Sequence, residues 1–176
     1  MKHVTPSLYK KVRNYYSMQK TPRPSTIFMN RYFDNKLLVG AEIGVDEGKN
    51  ALSLFEMLNI EKLYLVDVYD NLFPYTKAIK RLELYRKNIQ FIIKKSIDAS
   101  RDIKEPLDFV YIDANHSYIY VYQDIELWYK KVKRNGILCG HDIYNYKDVF
   151  KAVKDYCIMN QIKFYIIKPD WYIIKN

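Results

Sequence analysis

Two of the three histidines in the chain lie beside an aspartate, each directly after an apolar stretch. Asp113 and His116 follow one stretch, and His141 and Asp142 follow another. Carboxylates and imidazoles bind divalent cations, and a histidine near an aspartate can remove a proton near neutral pH. The four side chains therefore predict a site with general-base and metal chemistry. The alternative is that Asp142 caps a helix and His141 packs in the interior.

A glycine turn joins the first apolar stretch to a helical segment. Gly44 and Gly48 suit a backbone that turns sharply or approaches a ligand closely. Their spacing matches neither GxGxxG nor a P-loop, and Asp46 and Glu47 are expected to repel a pyrophosphate. The turn therefore favours a nucleoside without phosphates, especially a positively charged one. A purely structural turn is the alternative.

Two further polar residues follow apolar stretches. Asp67 is expected at the end of the second strand, where a carboxylate can accept hydrogen bonds from both ribose hydroxyls. Its alternative role is to cap the next turn. Ser96 follows the third stretch and could meet an adenine edge, or it could be the N-cap of a helix with Asp98 in the first turn.

Short apolar stretches alternate with longer segments of helical period after residue 36. This alternation predicts a doubly wound α/β fold, a mostly parallel sheet with helices on both faces and an antiparallel hairpin at its end. Ligands bind such sheets at the carboxyl ends of the strands. If the fourth and fifth strands are neighbours, Asp113 and Asp142 face each other across a cleft. The predicted strands cover residues 37–44, 63–68, 89–93, 107–112, 137–139, 163–167 and 171–174.

Apolar residues at helical spacing predict the helices between these strands. One helix is expected over residues 74–88, opened by Pro74. The faces of three others are Ala51, Leu54, Phe55 and Leu58, then Val121, Ile125, Trp128 and Val132, and finally Val149, Phe150, Val153 and Tyr156.

The positive charge is concentrated at the start of the chain. The net charge is +9, and residues 1–36 hold eight basic side chains against one acid, Asp34. A basic segment with interleaved aromatic residues could track a phosphate backbone or an anionic substrate. The alternative is a solvated helix followed by a proline-containing connector.

Length and composition exclude several classes of protein. The 176 residues suit one domain, and 49% hydrophobic residues provide a core. We find no apolar run near the roughly 20 residues that span a bilayer, and residues 1–20 lack the apolar region of a signal peptide. Because no apolar run could span a bilayer, no membrane partner is expected. Two cysteines do not form a disulfide scaffold, so a reducing cytoplasm is the expected location.

The combined pattern resembles class I S-adenosylmethionine-dependent methyltransferases. The most similar group is the methyltransferase 24 family, near the catechol and macrolide-sugar O-methyltransferases. The resemblance runs from about residue 37 to the end and does not cover residues 1–30. It rests on Glu42-Ile43-Gly44-x-x-x-Gly48, Asp67, Ile112-Asp113-x-x-His116-x-Tyr118, Asp124-Ile125-x-x-Trp128 and Gly136-Ile137-x-x-Gly140-His141-Asp142.

The resemblance implies a seven-stranded Rossmann-like domain over residues 37–176. The basic residues 1–36 are expected to form a helical extension or lid before this domain. It also implies O-methylation of a small sugar-like or anionic acceptor. Glu42, Gly44 and Gly48 would shape the methionine pocket, and Asp67 would hold the ribose. Ser96 and Ile97 would border the adenine. Asp113 would lie between cofactor and acceptor, His116 or His141 would be the base, and Asp113 with Asp142 would hold Mg²⁺ or another divalent ion.

The sequence departs from the family pattern in two ways. Metal-dependent relatives often have an acidic or amide ligand directly after the fifth-strand aspartate, where this chain has Ile143. His141 is the candidate replacement. The chain also lacks a long insertion before the closing hairpin, so the basic extension, or a second subunit in a homodimer, would have to form the lid.

Two other functions stay open. An RNA methyltransferase acting on ribose 2′-oxygens would use the basic extension. Methylation of a base amino group is disfavoured because no Asn/Asp-Pro-Pro-Tyr/Phe motif follows the fourth strand. The second alternative is a non-catalytic domain that keeps the cofactor fold and binds a partner, which the presence of Glu42, Asp67 and Asp113 disfavours.

Overall fold

A computed structural model of the protein describes residues 22–176. The part of the basic extension before Pro22 therefore lies outside the described residues. The strands are β1 Leu38–Ile43, β2 Ile60–Asp67, β3 Ile89–Ile93, β4 Leu107–Ile112, β5 Val132–Gly140, β6 Tyr165–Ile167 and β7 Asp170–Ile174. The helices are α1 Pro24–Phe33, α2 Lys49–Met57, α3 Leu72–Arg81, α4 Ser96–Asp102, α5 Tyr118–Lys131 and α6 Lys147–Met159.

Within the described residues the strands form one seven-stranded sheet in the order β3-β2-β1-β4-β5-β7-β6. β1 to β5 are parallel, and β7 is antiparallel to both β5 and β6. The predicted doubly wound fold with an antiparallel hairpin is confirmed. The strand order reverses between β1 and β4, so the cleft that binds ligands in such folds lies at the carboxyl ends of these two strands.

The helices cover both faces of the sheet because successive strand residues point to opposite sides. Phe109 and Tyr111 pack with α1, α2 and α3, whereas Val110 and Ile112 pack with α4, α5 and α6. All four of these β4 side chains are buried, which explains why the strand is a continuous apolar run.

Helix α1 is packed into the domain. Met29 is fully buried, and α1 contacts α2, β5 and β7. Near its start, the backbone N–H and the hydroxyl of Ser25 donate hydrogen bonds of 3.0 and 2.5 Å to Oδ2 of Asp170, which is also fully buried. These contacts tie the second half of the predicted extension to the final strand. The domain boundary at residue 36 stays a prediction.

Several details differ from the sequence-based expectations, including the starts of β2 and β5, which are expected at residues 63 and 137 but lie at Ile60 and Val132. The helix expected over residues 74–88 divides, because buried Leu82 ends α3 and a 3-10 helix, Glu83–Asn88, follows. Val132, expected on a helical face, begins β5 and pairs with Leu107. Phe150, expected in the core, is 41% exposed.

No helix in the described part of the chain is long and apolar enough to cross a membrane.

Candidate active site

The register of the central strands brings the predicted site residues together. Ile43 is paired with Ile112, and Ile112 with Gly140, so β1, β4 and β5 end side by side. The backbone N–H of Asp113 donates to the carbonyl of Ile43 at 2.7 Å, and that of His141 to the carbonyl of Ile112 at 3.1 Å. The residues after these strands therefore meet at one edge of the sheet.

Asp113, His116, His141 and Asp142 form one cluster, as the sequence predicts. Nε2 of His116 lies 2.9 Å from Oδ2 of Asp142 and 3.7 Å from Oδ1 of Asp113. Nδ1 of His141 lies 2.9 Å from Oδ1 of Asp142 and 3.9 Å from Oδ1 of Asp113. Both imidazoles thus face the same two carboxylates. They line a pocket whose walls include Asp113, Asn115, His116, Val121, His141 and Trp171.

His116 is held between a carboxylate pair and an aromatic ring. Its ring stacks on Tyr146 with centroids 4.2 Å apart and an interplanar angle of 13°. The nearby Asp113 carboxylate raises the pKa of His116 above its ordinary value, against the opposing effect of partial burial, and the charge of Asp142 adds to the rise. No pattern in the sequence indicates Tyr146 as a site residue, and it lies in the loop between β5 and α6.

The charge of Asp142 is stabilised by its neighbours. Burial alone would raise the pKa of Asp142, but the 2.5 Å hydrogen bond from Nδ2 of Asn145 and the nearby His141 and His116 hold it below its ordinary value. The N-cap of the following helix, α6, is Tyr146, so the alternative prediction that Asp142 caps this helix was wrong. Asp142 is therefore a residue of the cluster rather than a helix cap.

Three of these side chains have the chemistry of a metal site. Asp113, His141 and Asp142 each offer one ligand atom, and those atoms lie within 4.8 Å of one another. A divalent ion bound to oxygen and nitrogen at about 2.0 to 2.2 Å needs its ligand atoms within roughly 4.4 Å of one another, so small side-chain movements suffice. Ile143, at the position of the third ligand in metal-dependent relatives, is buried and apolar.

Glu42 is a buried carboxyl at the carboxyl end of β1. It is 1% exposed, its Oε1 accepts a 2.9 Å hydrogen bond from Nδ2 of Asn50, and its Oε2 has no partner among residues 22–176. Burial raises the pKa of Glu42 to about 8, although Asn50 opposes this rise. A buried acceptor without a donor fits a ligand that brings a positive group to this place.

Asp67 holds the glycine turn in shape. Its Oδ2 accepts hydrogen bonds from the backbone N–H groups of Val45, at 2.7 Å, and Asp46, at 3.0 Å. Its Oδ1 accepts one from the backbone N–H of Tyr69 at 3.1 Å. Asp67 therefore caps turns on both sides, which agrees with the alternative role predicted for it. Whether it also holds a ribose stays a prediction.

The charge of Glu47 in the glycine turn has several basic partners. Glu47 was expected to repel a pyrophosphate, but its carboxylate lies 2.6 Å from Nζ of Lys77, 3.3 Å from Nζ of Lys49 and 3.7 Å from Nη2 of Arg81. Its charge is therefore compensated. Gly48, in contrast, is where the sequence placed it: it is the N-cap of α2 with a φ of 72°.

Ser96 belongs to a polar network at the start of α4. Its hydroxyl donates a 2.5 Å hydrogen bond to Oδ1 of Asp124 and accepts one of 2.8 Å from Nε1 of Trp128. Burial raises the pKa of Asp124 to about 6, although Ser96 opposes this rise. Lys95 is the N-cap of α4, so the proposal that Ser96 is the N-cap was wrong. Asp98 lies in the first turn, as expected, and Ile97 is half-buried beside Ser96.

Arg23 is a site residue that the sequence did not single out. It directly precedes α1, and its Nη2 donates to Oδ2 of Asp113 at 3.3 Å. Sequence reasoning had counted it only among the basic side chains before residue 36. Its approach to Asp113 depends on the packing of α1 against β7, which no local pattern reveals.

Comparisons with known proteins agree with this geometry. The sequence profile described as "Methyltransferase domain" matches residues 41–143, more than half of the chain. An uncharacterised protein of Acanthamoeba polyphaga mimivirus, R132, is 27% identical over an alignment of 127 residues that covers 65% of this chain and 56% of that protein. The chain therefore spans little more than half the length of this relative.

Solved structures share the fold. The chain matches an rRNA methylase from Streptococcus thermophilus with a TM-score of 0.65 and 17% identity, covering 88% of this chain and 98% of that one. It matches an O-methyltransferase from Bacillus cereus in complex with S-adenosylhomocysteine with a TM-score of 0.67 and 12% identity, covering 98% and 92%. With its family profile, glycine turn and strand order in agreement, the chain belongs to the methyltransferase 24 family of class I S-adenosylmethionine-dependent methyltransferases.

Proposed function

We propose that this methyltransferase transfers a methyl group to a hydroxyl oxygen of a small sugar-like or anionic acceptor. The observation that carries the proposal is the cluster of Asp113, His116, His141 and Asp142 beside the glycine turn. A hydroxyl is a weak nucleophile until its proton is removed or its oxygen is polarised, and this cluster supplies groups for both.

The cofactor half of the site lies at the ends of β1, β2 and β3. Glu42, Gly44 and Gly48 would form the methionine pocket, and the unpartnered Oε2 of Glu42 would accept from a positively charged group. Asp67 would hold the ribose hydroxyls while keeping the turn in place. Ser96 and Ile97 would border the adenine, with the Ser96 hydroxyl fixed by Asp124 and Trp128.

The residues of the cluster manage the proton of the acceptor. Bound S-adenosylmethionine supplies an electrophilic methyl group on a sulfonium sulfur. The acceptor oxygen forms the new bond to that methyl carbon as the carbon–sulfur bond breaks, and the acceptor proton passes to His116. Nε2 of His116 lies 2.9 Å from Oδ2 of Asp142, so the Asp142 carboxylate would stabilise the resulting imidazolium.

A divalent ion fits the same cluster. Asp113, His141 and Asp142 would hold it, and a cation there would polarise the acceptor hydroxyl as a Lewis acid. Two carboxylates and one imidazole form a mixed set of oxygen and nitrogen ligands. Such a set is less selective for Mg²⁺ than an all-oxygen set, and it also suits Mn²⁺ or Zn²⁺.

The test is a methyl-transfer assay with purified protein, S-adenosylmethionine and hydroxylated acceptors (catechols, nucleotide sugars and hydroxy acids), each with and without Mg²⁺. We expect S-adenosylhomocysteine to form together with an acceptor heavier by one methylene group. Formation of the product only with amine or thiol acceptors would overturn the assignment to oxygen.

RNA is the second candidate acceptor. Two observations favour it: the basic residues 1–36, and the half-exposed ring of Tyr146 stacked on His116, since an aromatic face can stack a base. Adding RNA oligonucleotides to the assay above separates the two functions. Methylation of ribose 2′-oxygens, with all small acceptors inactive, would replace the first proposal by this one.

A further inference from the structure

Arg23 forms a loose ion pair with Asp113 and keeps further donors available. Nη2 of Arg23 lies 3.3 Å from Oδ2 of Asp113, and the two side chains are each 20% exposed. Nε of Arg23 is buried and has no hydrogen-bond partner among the described residues. A guanidinium has five N–H donors in a planar fork, and a buried donor without a partner is rare in folded proteins. These features indicate a ligand with an acceptor group at this place.

The two oxygens of Asp113 face different sides of the site. Oδ1 faces the imidazoles of His116 and His141, whereas Oδ2 faces Arg23. Arg23 and the two histidines therefore approach different oxygens of Asp113. The positive charge of Arg23 also opposes the rise in the pKa of the buried carboxyl groups of Glu42 and Asp170.

We propose that Arg23 binds the carboxylate of the methionine part of S-adenosylmethionine and of the product S-adenosylhomocysteine. The inference rests on the proposed function, which places the methionine part of the cofactor between the glycine turn and Asp113. It adds a cofactor-binding residue at the position directly before α1, which lies outside the matched residues 41–143.

An ion pair is a suitable receptor for an amino acid zwitterion. If the pair opens, Arg23 receives the carboxylate and Oδ2 of Asp113 receives the ammonium group, so each charge exchanges one partner of opposite sign for another. Such an exchange avoids leaving a charge buried and unpaired. Arginine suits the task because its fork can hold a carboxylate with two parallel hydrogen bonds.

Arg23 is not needed to anchor α1. Ser25 already ties the start of this helix to Asp170 through two hydrogen bonds, and Met29 buries its middle in the core. If Arg23 had only a structural role, its substitution would change ligand binding little, or would weaken the binding of all ligands equally.

The test compares ligands that differ in the carboxylate alone. We would titrate S-adenosylhomocysteine and its decarboxylated analogue, calorimetrically, into the wild-type protein, Arg23→Ala, Arg23→Lys and Arg31→Ala. Arg31 is exposed on the same helix, so Arg31→Ala is the matched loss of one positive charge. Circular dichroism checks that each variant is folded.

We expect Arg23→Ala to weaken S-adenosylhomocysteine by roughly 10- to 100-fold, the range for one charge-assisted hydrogen bond or a pair of them. The decarboxylated analogue should bind wild type and Arg23→Ala within about twofold of each other, since it has no partner for the guanidinium. Arg23→Lys should be intermediate, and Arg31→Ala should match the wild type.

Two results would overturn this inference alone: unchanged binding of S-adenosylhomocysteine to Arg23→Ala, or an equal loss for both ligands. If Arg23→Ala does not fold, Arg23→Lys decides. An affinity of Arg23→Lys for S-adenosylhomocysteine equal to that of the wild type, or an equal loss of affinity for both ligands, would contradict a carboxylate-specific role. A wild-type protein that binds neither ligand would instead overturn the proposed function, and this assignment with it.

Discussion

Gly44 lies directly against the backbone of Asp113. A Cβ atom at residue 44 would overlap the carbonyl oxygen of Asp113, and the φ of Gly44 is 87°, in the left-handed region. The end of β1 and the end of β4 thus approach each other as closely as a glycine permits. This approach places the predicted cofactor turn beside the predicted catalytic carboxylate.

We expect Gly44→Ala to lower the free energy of unfolding by more than about 2 kcal/mol, because the new methyl group meets backbone and the positive φ is strained for alanine. Gly48→Ala is the matched control. Its φ is also positive, at 72°, but its Cβ would meet Leu82 and Ala78 at 3.2 to 3.3 Å, so a smaller loss is expected. Urea unfolding measures both, and equal losses would refute the close approach.

We expect the ionisation of Glu42 to lower the free energy of unfolding as the pH rises. Burial raises its pKa to about 8 in the folded protein from the ordinary value of 4.5, so the folded state holds more protons than the unfolded state between these two pH values. The free energy of unfolding therefore decreases with rising pH across this window, by up to about 1.4 kcal/mol per pH unit from this group. Glu42→Gln has no proton to lose and should show a flatter profile.

Urea unfolding of the wild type and Glu42→Gln at pH 5, 6.5 and 8 measures this difference. Glu61→Gln is the control, because Glu61 is exposed on β2 and its removal should not flatten the profile. Parallel profiles for the wild type and Glu42→Gln would show that Glu42 is ionised in the folded protein at neutral pH.

The imidazole of His116 should govern the pH dependence of turnover. Only the neutral imidazole accepts a proton, and its pKa is raised, so the rate should increase with pH through a limb above pH 6.5. His116→Ala should lose roughly 10²- to 10⁴-fold in kcat and should lose this limb, while binding S-adenosylhomocysteine normally. A variant that keeps the wild-type kcat and pH profile would exclude His116 as the base.

Asp142 and His141 should bind a divalent ion together with Asp113. We expect Asp142→Asn and His141→Ala to weaken Mn²⁺ binding by at least about tenfold, because each loses one ligand of a small set. Electron paramagnetic resonance measures free Mn²⁺ directly. Asp102→Asn is the control, since Asp102 is an exposed partner of Lys94, 2.7 Å away. Equal Mn²⁺ affinities in all four proteins would exclude a metal site in the cluster.

The sequence predicted the central strands and the cluster because their signals are local. β3 and β4 have the predicted limits, since both are short segments made mostly of apolar residues. His141 and Asp142 follow a strand flanked by glycines, and parallel strands bring such ends together. The convergence of Asp113 and Asp142 followed from topology alone.

Other features depend on tertiary contacts and were not predictable. Arg23 reaches Asp113 only because α1 packs on β7, and Tyr146 meets His116 only because the β5–α6 loop folds over the strand ends. The compensation of Glu47 by Lys77 and Arg81 comes from α3, about 30 residues away in sequence. Charge reasoning on the turn alone could not include these partners.

The most direct test of the central claim is calorimetric titration of S-adenosylhomocysteine into the wild-type protein, with Asp67→Ala as the control. We predict binding in the micromolar range for the wild type and a large loss of affinity for Asp67→Ala, whose turn loses three backbone hydrogen bonds. No detectable binding to well-folded wild-type protein would contradict the assignment of this site to S-adenosylmethionine.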